Sequence, residues 1–440
     1  MREFSHFHIN DPVNFPGKLA AWAQNFPVAC VLHSNDYRKK LLGPMSRHTY
    51  DLIAGAGILD HYGIDEPSPL SSLDRFIDGS KDWLFGHLGY ELKNHIEDLV
   101  SDHPDFLDFP LLHFFIPRYV FIQEEETLKI GWHKEYDSKR KIADLMTEID
   151  NWPVPAMDRP FSGKISSVLS REDYLGAVAG IKDHIQKGDI YELNFCQEFY
   201  SAGAEIDAAA TWLKLIAESP VPFSCFYRLN DKYLLCASPE RFLKKSGDKI
   251  ISQPIKGTYP RGNTPGQDRE AMKLLACDPK ERSENIMITD LVRNDLSRIA
   301  CRGSVRVNEL CGVYPFPRVL QMQSDISASL RPGASFTDII NSTFPMGSMT
   351  GAPKVRSMEI IEQYEKTRRG LYSGSVGYIT PEMDFDFNVV IRSLQYNRAS
   401  SYLSFMVGGA ITSQSIPEKE YSECLLKAGA IMKVLGHETG

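Results

Sequence analysis

The chain has 440 residues, of which 42% are hydrophobic and 24% charged, and its net charge is −8. These values are typical of a globular protein of two or three domains, and the acidic balance argues against a nucleic-acid-binding protein, which normally carries a basic face. No run of about 18 apolar residues predicts a membrane span, and the polar start MREFSHFHINDP lacks the apolar core of a signal peptide. Eight cysteines without a C-x-x-C pair indicate a reducing, cytoplasmic environment.

A proline-rich stretch divides the chain. Residues 1–150 mix short apolar runs with turn signals, and residues 151–164 (NWPVPAMDRPFSGK) contain three prolines, which predict a linker. Residues 165–436 alternate helical and strand patterns. We therefore predict an N-terminal region over 1–150, intertwined with a catalytic region over 165–436, and an α+β fold with antiparallel sheets.

Helix boundaries are marked by capping residues. Ser170, with Asp173 three residues later, predicts the start of a helix that stops at Gly188. Ser415, with Glu418 three residues later, predicts a capping box for the last helix.

Lys256 lies in the segment PIKGTYPRG, flanked by isoleucine and glycine with no acidic neighbour in sequence. Desolvation disfavours the charged form of an amine and lowers its pKa, which a nucleophilic lysine needs. A surface lysine in a loop is the alternative.

Two predicted helices are acidic on one face. Glu281 and Glu284 are three residues apart on the first, and Glu420, Glu423 and Lys427 share a face of the last. Carboxylates from two helices can converge on Mg²⁺, which takes oxygen ligands. Two solvated helix faces with intrahelical Glu–Lys pairs are the alternative.

A glycine-rich turn in FPMGSMTGAPK, through Gly347 and Gly351, precedes a helix start at Pro353. It is not a phosphate-binding P-loop, because Ala352-Pro353-Lys354 replaces Gly-Lys-Ser/Thr. Arg392 interrupts the apolar, strand-like run FNVVIRSL, where it faces either a structural carboxylate or an anionic ligand.

Eight motifs occur together in one order: ASPERF, PIKGT-PRG, SEN-M--DL-RNDL, GSMTGAPK, GSVGYI, NVVIRSL, GGAI and P-E-K-E--SE---KA. In this order they resemble the chorismate-binding enzyme family, which includes component I of anthranilate and aminodeoxychorismate synthases and the isochorismate and salicylate synthases. The resemblance is strong over Ser170–Leu435 and weaker in residues 1–150, through VLHSN and FGHLGYELKN.

The resemblance implies an α+β, two-lobed sandwich of orthogonal antiparallel β-sheets surrounded by helices, with the active site in the cleft. It implies that Glu284 and Glu423 bind Mg²⁺ with Glu281 and Glu420 close by, and that Glu240 is the general acid at the departing hydroxyl. The substrate chorismate would be bound by Thr258, Ser348, Tyr378, Arg392, Gly408, Gly409, Ala410 and Lys427.

Three positions bear on the branch of the family. Lys256 resembles the PIKGT of aminodeoxychorismate synthases rather than the PIAGT of anthranilate synthases. Glu192 stands where water-adding members have an activating lysine and aminating members often have glutamine. Gln321 replaces a frequent histidine; because glutamine cannot shuttle a proton, more of the acid role falls on Glu240.

The resemblance therefore implies amination of chorismate at ring carbon 4 through a covalent lysine adduct, in para-aminobenzoate and folate synthesis. Ammonia would come from a separate glutamine amidotransferase subunit. Ser34 in VLHSN remains from the tryptophan-binding LLES pattern without its glutamate, so we expect little tryptophan inhibition. The alternatives are anthranilate synthase component I and a non-catalytic nucleotide- or anion-binding module built on the Gly347 turn.

Overall fold

A computed structural model of the chain describes residues 2–37, 50–64, 70–157 and 161–436. Helices and strands alternate, and the strand pairings between these residues are antiparallel, which confirms the predicted α+β class. No helix in these four ranges is long and apolar enough to cross a membrane.

Within the described residues, twenty strands form the sheets. They are β1 (Glu3–His8), β2 (Val28–His33), β3 (Leu52–Ile64), β4 (Leu84–Leu88), β5 (Leu112–Glu124), β6 (Thr127–Trp132), β7 (Ser166–Ser167), β8 (Glu192–Ala202), β9 (Phe223–Leu229), β10 (Lys232–Ser238), β11 (Arg241–Ser246), β12 (Lys249–Gln253), β13 (Ile255–Pro260), β14 (Arg306–Pro315), β15 (Val319–Ser329), β16 (Gly351–Ala352), β17 (Ser375–Ile379), β18 (Phe385–Asn388), β19 (Ser393–Asn397) and β20 (Tyr402–Ile411).

The helices pack on the faces of these sheets. They are α1 (Phe15–Ala23), α2 (Ser71–Ser80), α3 (Lys93–Ile96), α4 (Lys139–Asp150), α5 (Arg171–Lys187), α6 (Ala208–Glu218), α7 (Pro265–Cys277), α8 (Pro279–Ser297), α9 (Phe336–Thr343), α10 (Lys354–Tyr364) and α11 (Pro417–Val434).

The strands form two sheets that share β5. The first runs in the order β1–β6–β5–β3–β2–β9–β10–β19–β20–β8. The second runs β4–β17–β18–β11–β12–β15, with β13 beside β12 along one edge of β15 and β14 along the other. The first half of β5 pairs with β4 and its second half with β6, so one long strand joins both sheets.

Strand alternation produces the layers, because successive side chains point to opposite faces. On β2, Ala29 and Val31 face the helices over the first sheet, whereas Val28 and Cys30 face a core that also contains residues of β4 and β17. Helices α1, α4, α5, α6, α10 and α11 cover the first sheet, and α2, α8 and α9 cover the second. The sheets therefore form a sandwich with helices outside.

Strands from both sequence regions share these sheets. β2 pairs with β9, and β4 pairs with β17. The stretch after residue 150 includes a bridge between Ser162 and Glu205. The division into 1–150 and 165–436 stays a prediction about organisation along the chain.

One predicted helix start is confirmed and one is wrong. The Ser170 side chain accepts a hydrogen bond from the Asp173 amide, and Gly188 closes the helix with φ +82°. The last helix begins at Pro417 without a side-chain cap, because Ser415 instead accepts from the Thr412 amide within the preceding turn.

A buried ion pair holds three segments of the site region together. The Arg369 guanidinium, 1% exposed, donates to both carboxylate oxygens of Glu365 at 2.9 and 2.6 Å. It also donates to the main-chain oxygen of Met349 in the glycine-rich turn and to that of Asn194 in β8. These bonds satisfy donors whose burial would otherwise be costly.

We expect Glu365→Gln to lower the free energy of unfolding by about 3–5 kcal/mol, because it leaves the buried Arg369 charge without its counter-ion. Chemical denaturation measures the loss. The control is Asp231→Asn, which removes an exposed partner of Arg398 and should cost less than about 1 kcal/mol. Equal effects of the two substitutions would contradict the structural role of the buried pair.

Candidate active site

Lys256 lies in β13, half-buried, beside a close approach of strand and helix. Its neighbour Gly257 has φ +93°, and a Cβ there would lie 2.9 Å from a carboxylate oxygen of Glu281 on α8. A larger side chain at 257 would therefore be strained by the positive φ and would displace the Glu281 carboxylate. This contact brings the lysine next to the first acidic helix.

The start of α8 orients its acidic residues. The Asp278 carboxylate caps the helix by accepting from the amides of Lys280 and Glu281, and Pro279 occupies the first turn. Glu281 and Glu284 then share one face, as predicted. The cap fixes the helix end that approaches β13.

The two acidic helices approach each other at Lys280. The ammonium of Lys280 on α8 lies 3.9 Å from a carboxylate oxygen of Glu284 and 3.9 Å from one of Glu420 on α11. Because α8 covers the second sheet and α11 the first, this contact joins a helix of one sheet to a helix of the other. Lys280 therefore brings a carboxylate of each helix toward the same ammonium group, and the predicted metal site stays a prediction.

Burial and the repulsion between neighbouring carboxylates shift the pKa values of these acids. Burial, with the nearby Glu284 charge, raises the pKa of Glu281 to about 7. Burial also raises the pKa of Glu284, although Lys256 opposes it. Burial acts in the same direction on Glu423, but Lys427 at 2.9 Å, together with Lys280 and Lys256, outweighs it and the pKa of Glu423 is lowered.

The acidic cluster fits a hard cation by its chemistry. Its donors are carboxylate oxygens, and Oε1 of Glu284 is buried without a hydrogen-bond partner among the described residues. Across those residues, no three or more His, Cys, Asp or Glu side chains lie in an arrangement that could hold a metal ion as they stand. Lys280 holds the position between the helices, where its charge offsets the acids.

Glu240 is the buried acid on the other side of Lys256. It accepts a hydrogen bond from the Ser348 hydroxyl at 2.7 Å, and Ser348 lies in the short turn Gly347–Met349. Burial raises the pKa of Glu240 to about 7, although Ser348, Lys256 and Arg392 oppose the shift. A carboxyl group with this pKa can hold a proton near neutral pH and release it.

Arg392 lies between two strands rather than within one. The run FNVVIRSL breaks after Asn388, and Arg392 adopts the left-handed backbone region with φ +51° before β19 begins. Burial lowers the pKa of its guanidinium, while the Glu240 carboxylate opposes this shift. The expectation that Arg392 faces a carboxylate or an anionic ligand stays a prediction, whereas the strand-like backbone expected at this position is wrong.

The glycines of β20 leave room beside the acids. A Cβ at Gly409 would lie 3.5 Å from the ammonium of Lys427 and 3.9 Å from oxygens of Glu420 and Glu423. Lys427 donates to the main-chain oxygen of Gly408 at 2.9 Å. The backbone of Gly408, Gly409 and Ala410 thus borders the cluster.

β15 places glutamine side chains against β13. Gln321 is opposite Thr258 and Gln323 is opposite Ile255, on either side of the irregular pairing at Lys256. Both glutamines are buried, and among the described residues Oε1 of Gln321 and both amide atoms of Gln323 have no hydrogen-bond partner. Thr258 itself is exposed.

Tyr378 is placed differently from the other candidates. Its ring packs near Tyr50, Trp83 and Phe85, and its side chain lines a pocket with Ser34. On β17, Val376 and Tyr378 face the layer between the sheets, whereas Ile379 faces the helices. The motif did not reveal which strand face would carry the tyrosine.

Sequence reasoning missed Lys280 and Gln323. Lys280 precedes Glu281 directly, and only the helix-helix approach gives it a role. Gln323 was detectable, since a glutamine two residues after Gln321 on a strand shares its face.

Comparisons with known proteins agree in pointing to one enzyme family. The family model described as chorismate binding enzyme matches residues 46–433. Aminodeoxychorismate synthase component 1 of Bacillus subtilis (strain 168) is 33% identical over 361 residues, covering 80% of this chain and 76% of the relative. Anthranilate synthase component 1 of Thermus thermophilus is 29% identical over 457 residues, covering 97% and 96%. The crystal structure of anthranilate synthase component I from Streptococcus pneumoniae has the same fold, with a TM-score of 0.76, 23% identity, and coverage of 89% and 95%.

Glu240→Gln should change how stability depends on pH. The pKa of Glu240 is about 7 in the folded protein and 4.5 as reference. The contribution of this carboxyl group to the free energy of unfolding is therefore full below pH about 4.5 and is lost as the pH rises through about 7. At about 1.4 kcal/mol per pKa unit, the loss is about 3 kcal/mol. Glutamine stays neutral over this range, so the free energy of unfolding of the variant should rise relative to that of the wild type by this amount.

Denaturation at several pH values measures the difference. Glu172→Gln, at an exposed position of α5, controls for the loss of one carboxyl group. A constant difference between Glu240→Gln and the wild type across the range would contradict the buried, proton-holding state of Glu240.

Proposed function

Because this chain belongs to the chorismate-binding enzyme family, we propose that it aminates chorismate at ring carbon 4 to give 4-amino-4-deoxychorismate. The observation that carries the proposal is the position of Lys256. Its charge acts to lower the pKa of four carboxyl groups around it, those of Glu192, Glu240, Glu284 and Glu423. An amine among these acids can exchange protons and approach a bound ring.

Lys256 is the nucleophile in this proposal. Its neutral nitrogen forms a bond to ring carbon 2, the ring double bonds shift, and the carbon 4 hydroxyl leaves with a proton from Glu240 as water. Ammonia then bonds to carbon 4 and the lysine departs from carbon 2. Because the lysine is added at carbon 2 and then displaced, the amino group ends at carbon 4, the position that the hydroxyl occupied.

Ser348 and Gln321 support the acid. The Ser348 hydrogen bond orients the Glu240 carboxyl group. Gln321 can donate a hydrogen bond from its amide but cannot carry a proton. Glu240 therefore holds the proton that the hydroxyl takes.

Mg²⁺ would be held by Glu284 and Glu423, with Glu281 and Glu420 beside them, and would supply positive charge for the ring carboxylate. Oε1 of Glu284 supports this assignment, because among the described residues it has no hydrogen-bond partner and only the Lys280 ammonium at 3.9 Å as a counter-charge.

The enolpyruvyl carboxylate would lie against Arg392 and Lys427, with the backbone of Gly408, Gly409 and Ala410 beneath it. A buried guanidinium and an ammonium suit an anion. Thr258 and Ser348 offer hydroxyl groups at the edges of the same cleft. We leave Tyr378 out of this cradle, since its ring lies in the pocket with Ser34.

Anthranilate synthase component I remains the second candidate. The relative from Thermus thermophilus matches nearly the whole chain, although its identity is lower. Such an enzyme attacks ring carbon 2 with ammonia and needs no lysine. Mass analysis of the product from chorismate, Mg²⁺ and ammonium separates the two.

A glutamine amidotransferase subunit would deliver the ammonia. The name component 1 of the relatives supports a second component. We propose that the chain works with that partner in the cytoplasm, in para-aminobenzoate and folate synthesis, and that it also uses added ammonium at high pH.

Lys256→Ala should lower the formation of 4-amino-4-deoxychorismate at least about 10³-fold while leaving chorismate binding largely intact, because the covalent step is lost. Lys256→Arg, which keeps the charge, should lose as much. Lys249→Ala, at an exposed position of β12, should remain active. Product mass and chorismate binding are measured together; full activity of Lys256→Ala would remove the lysine from the mechanism.

Glu284→Gln should raise the Mg²⁺ concentration needed for half-maximal activity about tenfold or more, because one charged ligand is lost. Mg²⁺ titration of chorismate turnover measures the change. Glu198→Gln, a buried acid of β8 bonded to Ser404 and Tyr402, is the matched control. An unchanged Mg²⁺ requirement in Glu284→Gln would exclude Glu284 as a ligand.

A further inference from the structure

Gln323 lies in the middle strand of a three-stranded part of the second sheet. β15 runs between β13 and β14 there, with Ile255 opposite Gln323 on one side and Gly312 on the other. The adjacent Met322 packs with Leu275 of α7, so by strand alternation Gln323 points to the opposite face. Pairing on both edges of β15 therefore holds the backbone of Gln323 at one place in the sheet.

The side-chain amide of Gln323 is buried and unpaired at both of its polar atoms. The residue is 1% exposed, and neither the amide oxygen nor the amide nitrogen has a hydrogen-bond partner among the described residues. Burying an amide without partners lowers stability. Because native proteins satisfy nearly all their buried polar groups, this amide indicates a position where a bound molecule supplies the partners.

The polar neighbours of Gln323 are engaged with other groups. Asp325, two residues along the same strand face, accepts a hydrogen bond from the Gln253 amide at 2.7 Å. Glu309 lies where a side chain at position 312 would be, and it accepts from the Tyr314 hydroxyl. Within the described residues, both amide atoms of Gln323 therefore stay available to another molecule.

Ile255 connects Gln323 to the reacting groups. The main chain of Ile255 hydrogen-bonds the Glu240 carboxylate, and Lys256 is the next residue. Directly opposite residues of an antiparallel pair have Cα atoms about 4.5–5.5 Å apart, so Gln323 lies one strand away from the acid and the lysine. A substrate held between Glu240 and Lys256 is therefore within reach of the glutamine side chain.

Chorismate carries one group that both donates and accepts a hydrogen bond. Its two carboxylates and its ether oxygen only accept, whereas the hydroxyl group on ring carbon 4 does both. The unpaired oxygen of the Gln323 amide can accept from that hydroxyl, and the unpaired N–H can donate to the hydroxyl oxygen. The two free atoms of the amide are thus complementary to this hydroxyl group.

We propose that Gln323 is a specificity-determining residue that binds the carbon 4 hydroxyl group of chorismate. This rests on the proposed function and deepens it, because the hydroxyl that Glu240 protonates is then held by Gln323. When the bond from carbon 4 to oxygen breaks, the electron pair stays on the oxygen, which takes the proton of Glu240 and leaves as water. The amide itself exchanges no proton.

Gln323→Met tests the proposal, because methionine has a similar length but no amide group. The measurement is competitive inhibition of chorismate turnover by two ring-reduced chorismate analogues, one with the carbon 4 hydroxyl and one without it. We expect the inhibition constant of the hydroxyl-bearing analogue to rise about tenfold, as hydrogen bonds to the hydroxyl are lost. The inhibition constant of the other analogue should stay within about twofold, because it has no hydroxyl to lose.

Two further variants isolate the effect. Gln123→Met removes a buried amide of β5 that donates to the main-chain oxygen of Glu125 at 2.9 Å, and it should leave the ratio of the two inhibition constants unchanged. Gln323→Asn keeps the amide on a shorter side chain and should change this ratio less than methionine does. The asparagine variant also serves as the test if Gln323→Met does not fold.

The outcomes separate this assignment from the proposed function. A rise for the hydroxyl-bearing analogue alone supports the assignment, whereas an equal rise for both analogues, or no rise for either, overturns it. An amine product substituted at ring carbon 2 overturns the proposed function but leaves this test valid, because the carbon 4 hydroxyl departs in that reaction too. A wild type that does not convert chorismate with ammonium removes both.

Discussion

The buried ion pair between Arg369 and Glu365 is the interaction on which the arrangement of the site depends. Arg369 binds the main chain of the glycine-rich turn at Met349 and that of β8 at Asn194, while Glu365 accepts from the amide of Cys196. The turn carries Ser348, and β8 begins with Glu192. One guanidinium thus fixes the distance between the elements that flank Lys256.

Several carboxyl groups near that lysine are buried, which is electrostatically unfavourable for their charged forms. Glu240 and Glu281 have pKa values of about 7 because they are buried, and Glu284 and Glu192 are shifted upward as well. Buried acids and orphaned polar atoms lower stability, so their concentration in one cleft is typical of a binding or catalytic site. The hydrophobic layers on either side of both sheets provide the stability that makes this tolerable.

Much of the fold and site could be predicted where the signal is local. The helix from Arg171 to Lys187 was bounded by Ser170 and Gly188, and the shared face of Glu281 and Glu284 follows from helical spacing. The predictions of local structure were wrong where a contact with a distant part of the chain determines the backbone. Ser415 bonds within the turn before the last helix instead of capping it, and the strand expected to hold Arg392 ends before that residue. The sequence made no prediction of the face of β17 that carries Tyr378, because that face depends on which sheet packs above it.

The sequence by itself determined the class of fold, the family resemblance and the identity of the acids and lysine, because side-chain chemistry and short-range periodicity are written in neighbouring residues. The tertiary structure alone decided that the charge of Lys256 acts on Glu240 and Glu192 and that Lys280 lies between two helices. Their meeting depends on strand register at the irregular β13–β15 pairing and on helices packed on different sheets. Such long-range contacts come from burying the whole core, and no local pattern contains them.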